Sequence, residues 1–335
     1  MNRQDFRSFT RIEVRWAEVD AQKIVFNAHY LMYADVAITN YWRQLAIPYE
    51  AGFASLGGEL FVKKASTIYH GSATLGDVLD VGIRCVKQGN TSLQFEAGIF
   101  RGMELLNTVE LVYVFADAQT QTPRPVPQAM RDLLTAYEAG QEVVTLRSGS
   151  WNDLGRDAER LRLAVFVREQ GVPREIEIDE FDPVARHVVL FNGLNQPVAT
   201  GRLVSDAPGV GRIGRMAVDR SVRGGRWGRM VLESLIDAAR ERGDREVVLH
   251  AQRHAGHHTP ALLGQRLGKA AGVFAALGRG VAAANHGEAA VAGKGLVLQQ
   301  RRRAHEVQQQ RRVLRVQQGL GIAQVAQAHD GARGA

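Results

Sequence analysis

Apolar residues change their spacing within the first apolar stretch of the chain. From Val14 to Val19 they alternate with polar ones, the period of a short half-buried strand. After a loop, Leu31, Ala34, Ile38, Tyr41, Trp42 and Leu45 recur at helical spacing. Tyr30, Met32, Tyr33, Val36 and Ala37 carry apolar character to the other faces, which predicts a helix wrapped by protein on most sides. Residues 47–61 read as loop, with turn signals at Pro48, Gly52 and Gly57-Gly58. Four strand-like runs follow, over 61–73, 77–89, 91–102 and 105–117, broken at Gly71 to Gly76, Gly89-Asn90 and Gly102. A link marked by Pro123, Pro125 and Pro127 leads into a short helix from Gln128. One long apolar helix and a run of antiparallel strands predict an α+β fold, a sheet curved around that helix, over residues 1–140.

The pattern restarts at residue 143. A strand at Val143 to Arg147 precedes a helix from Trp151 to Glu169, with Leu154, Ala158, Leu161, Val165 and Phe166 spaced to face a core. Strands are predicted at His187 to Gly193, Pro197 to Ser205, Gly211 to Asp219 and Glu246 to Gln252, with a turn at Asp206 to Gly209. Between the last two strands, a glycine-rich loop opens an amphipathic helix whose apolar side carries Met230, Leu232, Leu235 and Ile236. Alternating strands and helices predict an α/β region over 143–252.

Composition alters this picture at the C-terminal end. Residues 253–335 hold one aromatic side chain, Phe274, and consist mainly of Ala, Gly, Gln, Arg and His, which cannot supply much of a core. The net charge of +7 lies wholly there: twelve Lys+Arg against three Asp+Glu, leaving 30 basic and 32 acidic residues in positions 1–252. The two patterned regions therefore offer no basic field for a phosphate backbone, and nucleic acid is not the expected partner. The tail's Arg301-Arg302-Arg303 and Arg311-Arg312 would be the contacts if there were one, and its Gln/Arg run would form a loose helix. His254, His257 and His258 lack a carboxylate or cysteine at ligand spacing, so no metal site is expected. A single cysteine, Cys85 in a strand-like run, excludes an internal disulfide and reads as a small core residue. No signal-peptide core or membrane-spanning run is present, and a cytoplasmic location is expected.

The candidate chemistry of the first region centres on Asp20, an acid just before the apolar helix. A helix N-terminus keeps a carboxylate ionised and offers N–H donors to a developing oxyanion. Taken alone, such an acid is a cap or loop residue. The segments Val14 to Asp35, TLGDVLDV, TSLQFEAGIF and the strand before TPRPVP resemble the hot-dog-fold acyl-CoA thioesterases related to 4-hydroxybenzoyl-CoA thioesterase, over residues 8–135. The resemblance implies a hot-dog domain in which Asp20 acts as nucleophile or general base on a thioester. N–H groups near Phe26 and Asn27 would polarise the carbonyl, and Tyr30 and Asp77 would lie on the substrate side. Acyl-CoA is the implied substrate, with no cofactor, and a homodimer or homotetramer is the implied assembly. A thiolate leaves without prior protonation, so one carboxylate and one oxyanion donor suffice. Glu18 shares a face with Asp20 if the segment is extended, and otherwise reads as a solvated strand residue. His29, Lys63, Lys64 and Lys87 have ordinary structural or surface readings beside their possible contacts to substrate or CoA.

The second region resembles the GNAT superfamily of N-acetyltransferases over 143–252. The resemblance rests on Leu161 to Pro173 with Asp179 to Val189, on Ala199 to Leu203 with Gly211 to Val218, and on Val222 to Ile236. It implies acetyl-CoA as co-substrate, with pantetheine beside Met216 to Val218 and pyrophosphate on the loop of Arg223, Gly224, Gly225 and Gly228. Glu169, Glu180 and Asp182 are the acids available as acceptor-amine bases, and each also reads as a solvated side chain. Two departures stand out: Arg226 occupies a position where the family carries glycine, and no tyrosine follows Gln252. The domain is therefore expected to be incomplete, with 253–335 reading like an out-of-frame translation of GC-rich coding sequence. Acyl-CoA thioesterase is the leading reading. The alternatives are an N-acetyltransferase whose first region serves assembly, and a non-catalytic binding protein.

Overall fold

The computed structural model describes residues 1–251, 312–317 and 325–326. Two compact units divide the chain: the first is Met1–Thr145 with the short segments Leu190–Val198 and Asp219–Gly225, and the second is the rest from Leu146, to whose sheet the strand residues of Leu190–Val198 belong.

The first unit contains β1 (Ser8–Glu13), α1 (His29–Gln44), α2 (Tyr49–Ser55), β2 (Glu59–Tyr69), β3 (Val78–Gln88), β4 (Ser92–Arg101), β5 (Glu104–Ala116) and α3 (Gln128–Glu138). Its five strands form one antiparallel sheet in the order β1-β3-β4-β5-β2. Alternate residues of the central strands, including Leu79, Val81 and Ile83 on β3 and Leu93, Phe95, Ala97 and Ile99 on β4, are buried in one core with α1. Tyr41 and Trp42 of α1 both meet Phe95 edge-on, with centroids 5.5 and 5.6 Å apart. On the opposite face, Gly82 and Gly98 are cross-strand partners. A Cβ at Gly82 would come within 2.6 Å of the Phe6 ring, and one at Gly98 within 2.7 Å of Phe100, so the pair makes room for those rings. Helix α1 ends in a Schellman-type turn: Ala46 is left-handed at φ +54° and the Ile47 N–H donates to the Trp42 carbonyl at 3.0 Å.

Three features differ from the sequence-based expectation. Residues 14–19 are not a strand; Trp16–Glu18 is a 3-10 turn and the strand lies earlier, at Ser8–Glu13. The turn closes because the Glu18 carboxylate accepts the Arg15 N–H at 2.8 Å. Helix α1 is open rather than wrapped along Met32 and Val36, which are exposed. Residues 49–55, read as loop, form helix α2, anchored by the buried Phe53 against Trp42.

The second unit contains β6 (Val144–Gly149), α4 (Trp151–Arg162), β7 (Arg186–Asn192), β8 (Pro197–Ala207), β9 (Val210–Val218), α5 (Trp227–Glu241), β10 (Glu246–Ala251), β11 (Arg312–Gln317) and β12 (Val325–Ala326). The sheet order is β12-β11-β10-β9-β8-β7-β6. Pro197 to Val204 of β8 is buried continuously, as a central strand covered on both faces must be. The helix expected over 151–169 is α-helical only to Arg162 and widens to π-helical turns over Leu163–Glu169. Part of the supposed low-complexity tail pairs: β11 runs antiparallel to β10 and β12 to β11, so residues 312–317 are strand rather than loose helix. The histidines at 254, 257 and 258, the arginines at 301–303 and the out-of-frame reading concern positions that lie almost wholly outside the described residues. No helix among the described residues is long and apolar enough to cross a membrane.

Candidate functional site

Asp20 sits on a loop clamped at both ends. Val19 and Val25 form an antiparallel bridge, Ile24 bridges to Thr74, and the Asp20 N–H donates to the Ile24 carbonyl at 2.9 Å. The turn passes through Lys23 at φ +64°. The Asp20 carboxylate is partly exposed, and its Oδ1 accepts the Gln22 N–H at 2.8 Å. No other partner of this carboxylate is found among the described residues.

Eight residues after Asp20, at Ala28, the chain reaches the N-cap of α1, which has no side-chain cap bond. The Phe26 N–H is occupied by the Glu18 carbonyl at 2.9 Å, so it is not an oxyanion donor in this structure. The His29 and Tyr30 N–H groups turn back to the carbonyls of Phe26 and Asn27. The N–H groups of Asn27 and Ala28, both exposed residues, donate to no acceptor among the described residues. These are the orphan donors of a helix start, carrying its partial positive charge.

Other expected site residues are engaged elsewhere. The Tyr30 hydroxyl is buried and accepts the Ala73 N–H at 2.9 Å, fixing the 70–77 loop rather than facing solvent. Burial raises its pKa. Asp77 Oδ2 accepts from the Thr74 N–H and hydroxyl and pairs with Arg101 at 3.0 Å. Burial works to raise the Asp77 pKa, but these bonds outweigh it and hold it below the ordinary value. His29 Nδ1 lies 3.2 Å from the Met32 sulfur. Lys64 pairs with Glu110. Cys85 is inert: burial pushes its thiol up to about 12.

Sequence reasoning undervalued Glu18. It is 3% exposed rather than solvated. Its carboxylate accepts from the Arg15 backbone and guanidinium and, at 2.8 Å, from the Tyr33 hydroxyl on α1. Burial opposes its ionisation, yet the Arg15 and Tyr33 bonds prevail and its pKa is lowered. Glu18 thus pins the Asp20 loop to the helix by its side chain, and its carbonyl removes the Phe26 N–H. Glu18→Gln is expected to exchange charge-assisted bonds for neutral ones and to destabilise the first unit by roughly 1.5–3 kcal/mol. Urea unfolding of both proteins checks this, and an unchanged midpoint would remove Glu18 as the pin.

In the second unit, β9 pairs in parallel with β10 only from Val210 to Ile213. Gly214 to Ala217, including the half-buried Met216, have no β10 partner in that ladder, and Val218 ends the strand opposite Ala199 of β8. On the β8 side the register shifts between Thr200 and Arg202, so Gly201 alone faces Arg215 and Met216. A Cβ at Gly201 would come within 2.8 Å of Leu235 and 3.2 Å of Met216, which reserves the position for glycine. Downstream, Gly224 has φ +94° and Arg226, the N-cap of α5, has φ +66°. Arg226 therefore adopts the backbone that glycine would hold without strain. The N–H groups of Arg226, Trp227 and Gly228 donate to no acceptor among the described residues, and Arg223 and Gly225 close local turns. Asp182 is not a solvated acid: it is fully buried between Arg162 and Arg202. Among the described residues no group of three or more His, Cys, Asp and Glu could hold a metal ion.

Comparison with known proteins agrees with this division. A family model described as Thioesterase-like superfamily matches residues 14–134, and one described as Acetyltransferase (GNAT) family matches 151–268. The chain is 38% identical over 101 residues to the uncharacterized N-acetyltransferase YjcF of Bacillus subtilis (strain 168), covering 30% of this chain and 70% of that protein. Among solved structures, a thioesterase complexed with coenzyme A and Zn from Thermus thermophilus is 26% identical, covering 41% of this chain and 98% of that one, with a TM-score of 0.35. A DHNA-CoA thioesterase from Staphylococcus aureus is 23% identical, covering 40% and 89%, with a TM-score of 0.36.

Proposed function

We propose, for a chain that belongs to the GNAT acetyltransferase family in its second region and to the thioesterase-like superfamily in its first, that the first region hydrolyses acyl-CoA to free acid and CoA. The observation that carries this reading is the uncapped start of α1. It offers the unpartnered N–H groups of Asn27 and Ala28 seven and eight residues after a loop-held carboxylate with spare acceptor capacity. The two N–H groups receive the thioester carbonyl oxygen as it becomes an oxyanion, and one such donor contributes on the order of 2.7–4 kcal/mol. Asp20 either attacks the carbonyl carbon, forming an acyl-aspartyl anhydride that water then hydrolyses to the free acid, or takes the proton of a water that attacks directly. The C–S bond breaks and CoA leaves as thiolate. Free-thiol release from short, long and aromatic acyl-CoAs tests the activity; no release from any of them would overturn it.

The same reading makes the site one of a homodimer. Strand β2 is an edge of the sheet, eleven residues long, with Val62, Ile68 and Tyr69 exposed on it. Phe26, Met32 and Val36 add exposed apolar surface beside and along α1. Ile68→Asp is expected to shift the mass in light scattering toward the monomer and to lower hydrolysis. A variant of unchanged mass would argue against pairing through β2.

A second reading applies to the second unit, and the end of the β9–β10 ladder at Ile213, which leaves Gly214 to Ala217 without a β10 partner among the described residues, favours it. Acetyl-CoA binds with its pantetheine along Met216 to Val218 and its pyrophosphate on the free N–H groups at the start of α5, where backbone donors and helix dipole both favour phosphate.

A further inference from the structure

Beneath β9 lies a group of six charges that the readings above do not use. Three arginines, Arg162 from α4, Arg202 from β8 and Arg215 from β9, meet three acids of one irregular segment, Glu177, Asp179 and Asp182. Arg162, Glu177, Asp182 and Arg202 are buried. Arg162 bonds Glu177 at 2.7 Å and Asp182 at 2.6 and 3.0 Å. Arg202 grips both oxygens of Asp179 at 2.6 Å and also reaches Asp182 at 2.6 Å. The segment holds itself together as well, with the Asp179 N–H on Asp182 and the Phe181 N–H on Asp179. His187 Nε2 lies 2.9 Å from the Asp182 carbonyl.

The charges cancel one for one, and every carboxylate is engaged by guanidinium. The group therefore has no net field to attract a cationic amine and no free base to deprotonate one, so Asp182 is neither an available amine base nor a solvated acid. What it does have is a rigid platform ending in Arg215. That residue stands in the bulge opposite Gly201, at φ +51°, a left-handed conformation disfavoured for any side chain with a Cβ. Its guanidinium is tied to the Ile176 carbonyl at 2.9 Å, the Glu177 carbonyl at 3.2 Å and Asp179 at 3.0 Å. Directly beside it the β9–β10 ladder ends at Ile213, and Gly214 to Ala217 have no strand partner on that side among the described residues.

We propose that Arg215 is a positioning residue for acyl-CoA: tethered to the Ile176–Asp179 segment, it holds the β9 bulge in its left-handed form and keeps the Gly214–Ala217 edge ready for the pantetheine arm. Arg162 and Arg202 fix the platform from which it does so. This inference rests on the acetyl-CoA reading of the second unit, and the experiment separates the two. The full chain is followed by hydrogen–deuterium exchange with and without S-ethyl-CoA, a thioether that hydrolysis cannot consume, alongside its thermal midpoint. Exchange resolves the 214–217 amides locally, so binding to the first unit does not enter the measurement.

Protection of 214–217 in the native chain is expected. Arg215→Gly accepts the left-handed torsion but has no tether. It is expected to melt within a few degrees of the native chain and to bind about tenfold more weakly, the equivalent of ordering one backbone residue anew. Arg215→Lys reaches fewer of the three acceptors and is expected to lie between the two. It also serves as the reading if the glycine variant melts early. Equal affinity in all three proteins would overturn the role of Arg215 and leave acetyl-CoA binding intact. No protection of 214–217 in the native chain would overturn the acetyl-CoA reading, and this inference with it.

Discussion

Asp20→Asn is expected to lower acyl-CoA hydrolysis by about 10²–10⁴-fold, the range spanned by loss of a positioned proton acceptor. The substitution is nearly isosteric, and the amide oxygen can still accept the Gln22 N–H that the carboxylate accepts at 2.8 Å. The loop is held independently by the Val19–Val25 and Ile24–Thr74 bridges and by Glu18. Mass and thermal midpoint should therefore stay unchanged, so a loss of rate reports chemistry and not folding. The Asn27 and Ala28 N–H groups remain in the variant, and residual hydrolysis above the uncatalysed rate is expected from them. A rate within threefold of the native chain, roughly 0.65 kcal/mol, would remove Asp20 from the mechanism. The native chain also distinguishes the two roles of the carboxylate. A single-turnover mixture quenched in acid would carry an acyl mass increment on the peptide containing Asp20 if it attacks, and none if it activates water.

The scaffold of the first unit was legible because its signals are periodic and local. All four strand-like runs between residues 61 and 117 are strands β2 to β5, with ends displaced by a few residues. Ala34, Ile38, Tyr41, Trp42 and Leu45 all lie in the core. The errors fall where a short pattern competes with a specific bond. Val14 to Val19 alternates like a strand, but the Glu18 carboxylate captures the Arg15 N–H and closes a turn. Asp20 and the helix start could be named from sequence. Which N–H groups remain free could not, because the answer depends on a Glu18 carbonyl and a Phe26 amide separated by a folded-back loop. Met32 and Val36 had no sequence signal to separate them from the buried face, because both are as apolar as the residues that are buried there.

In the second unit the elements were legible and their charged support was not. Asp182 follows Arg162 by 20 residues, and Asp179 precedes Arg202 by 23 and Arg215 by 36, spacings with no helical or strand period. One hint was present: Arg162 directly follows Leu161 on the buried side of α4, where a charge needs a partner. Arg226 reads differently once its torsion is known. The departure from glycine keeps the left-handed turn rather than abolishing it, at a cost of about 1–2 kcal/mol. The pairing of Arg312–Gln317 with β10 was hidden because a strand of six residues inside an Arg- and Gln-rich segment resembles its surroundings in composition.

Asp182→Asn should produce the largest stability change in the chain, a loss of about 3–5 kcal/mol in the second unit, because two buried guanidinium groups lose a shared counter-charge. The pH dependence has a definite sign. Burial alone would raise the Asp182 pKa, but bonding to Arg162 and Arg202 holds it at about 2. The ordinary aspartate value is about 3.9. A depressed carboxylate contributes stability fully above that ordinary value and loses it as pH falls through the folded one, so its contribution should fade between about pH 4 and pH 2. Asp179, also held low against burial, fades in the same direction. Burial depresses His187, whose contribution likewise weakens on acidification, beginning near its ordinary value of about 6.5. Glu177 acts oppositely: burial raises its pKa, so its protonation partly offsets these losses in acid. Guanidinium unfolding of the full chain, read by exchange protection of the 151–162 and 227–241 amides, should show the native second unit weakening steeply below pH 4. The asparagine variant should start lower and weaken less. A variant within about 1 kcal/mol of the native chain at pH 7 would mean that the arginines find compensation without Asp182, and the six-charge group would then not be the platform on which Arg215 rests.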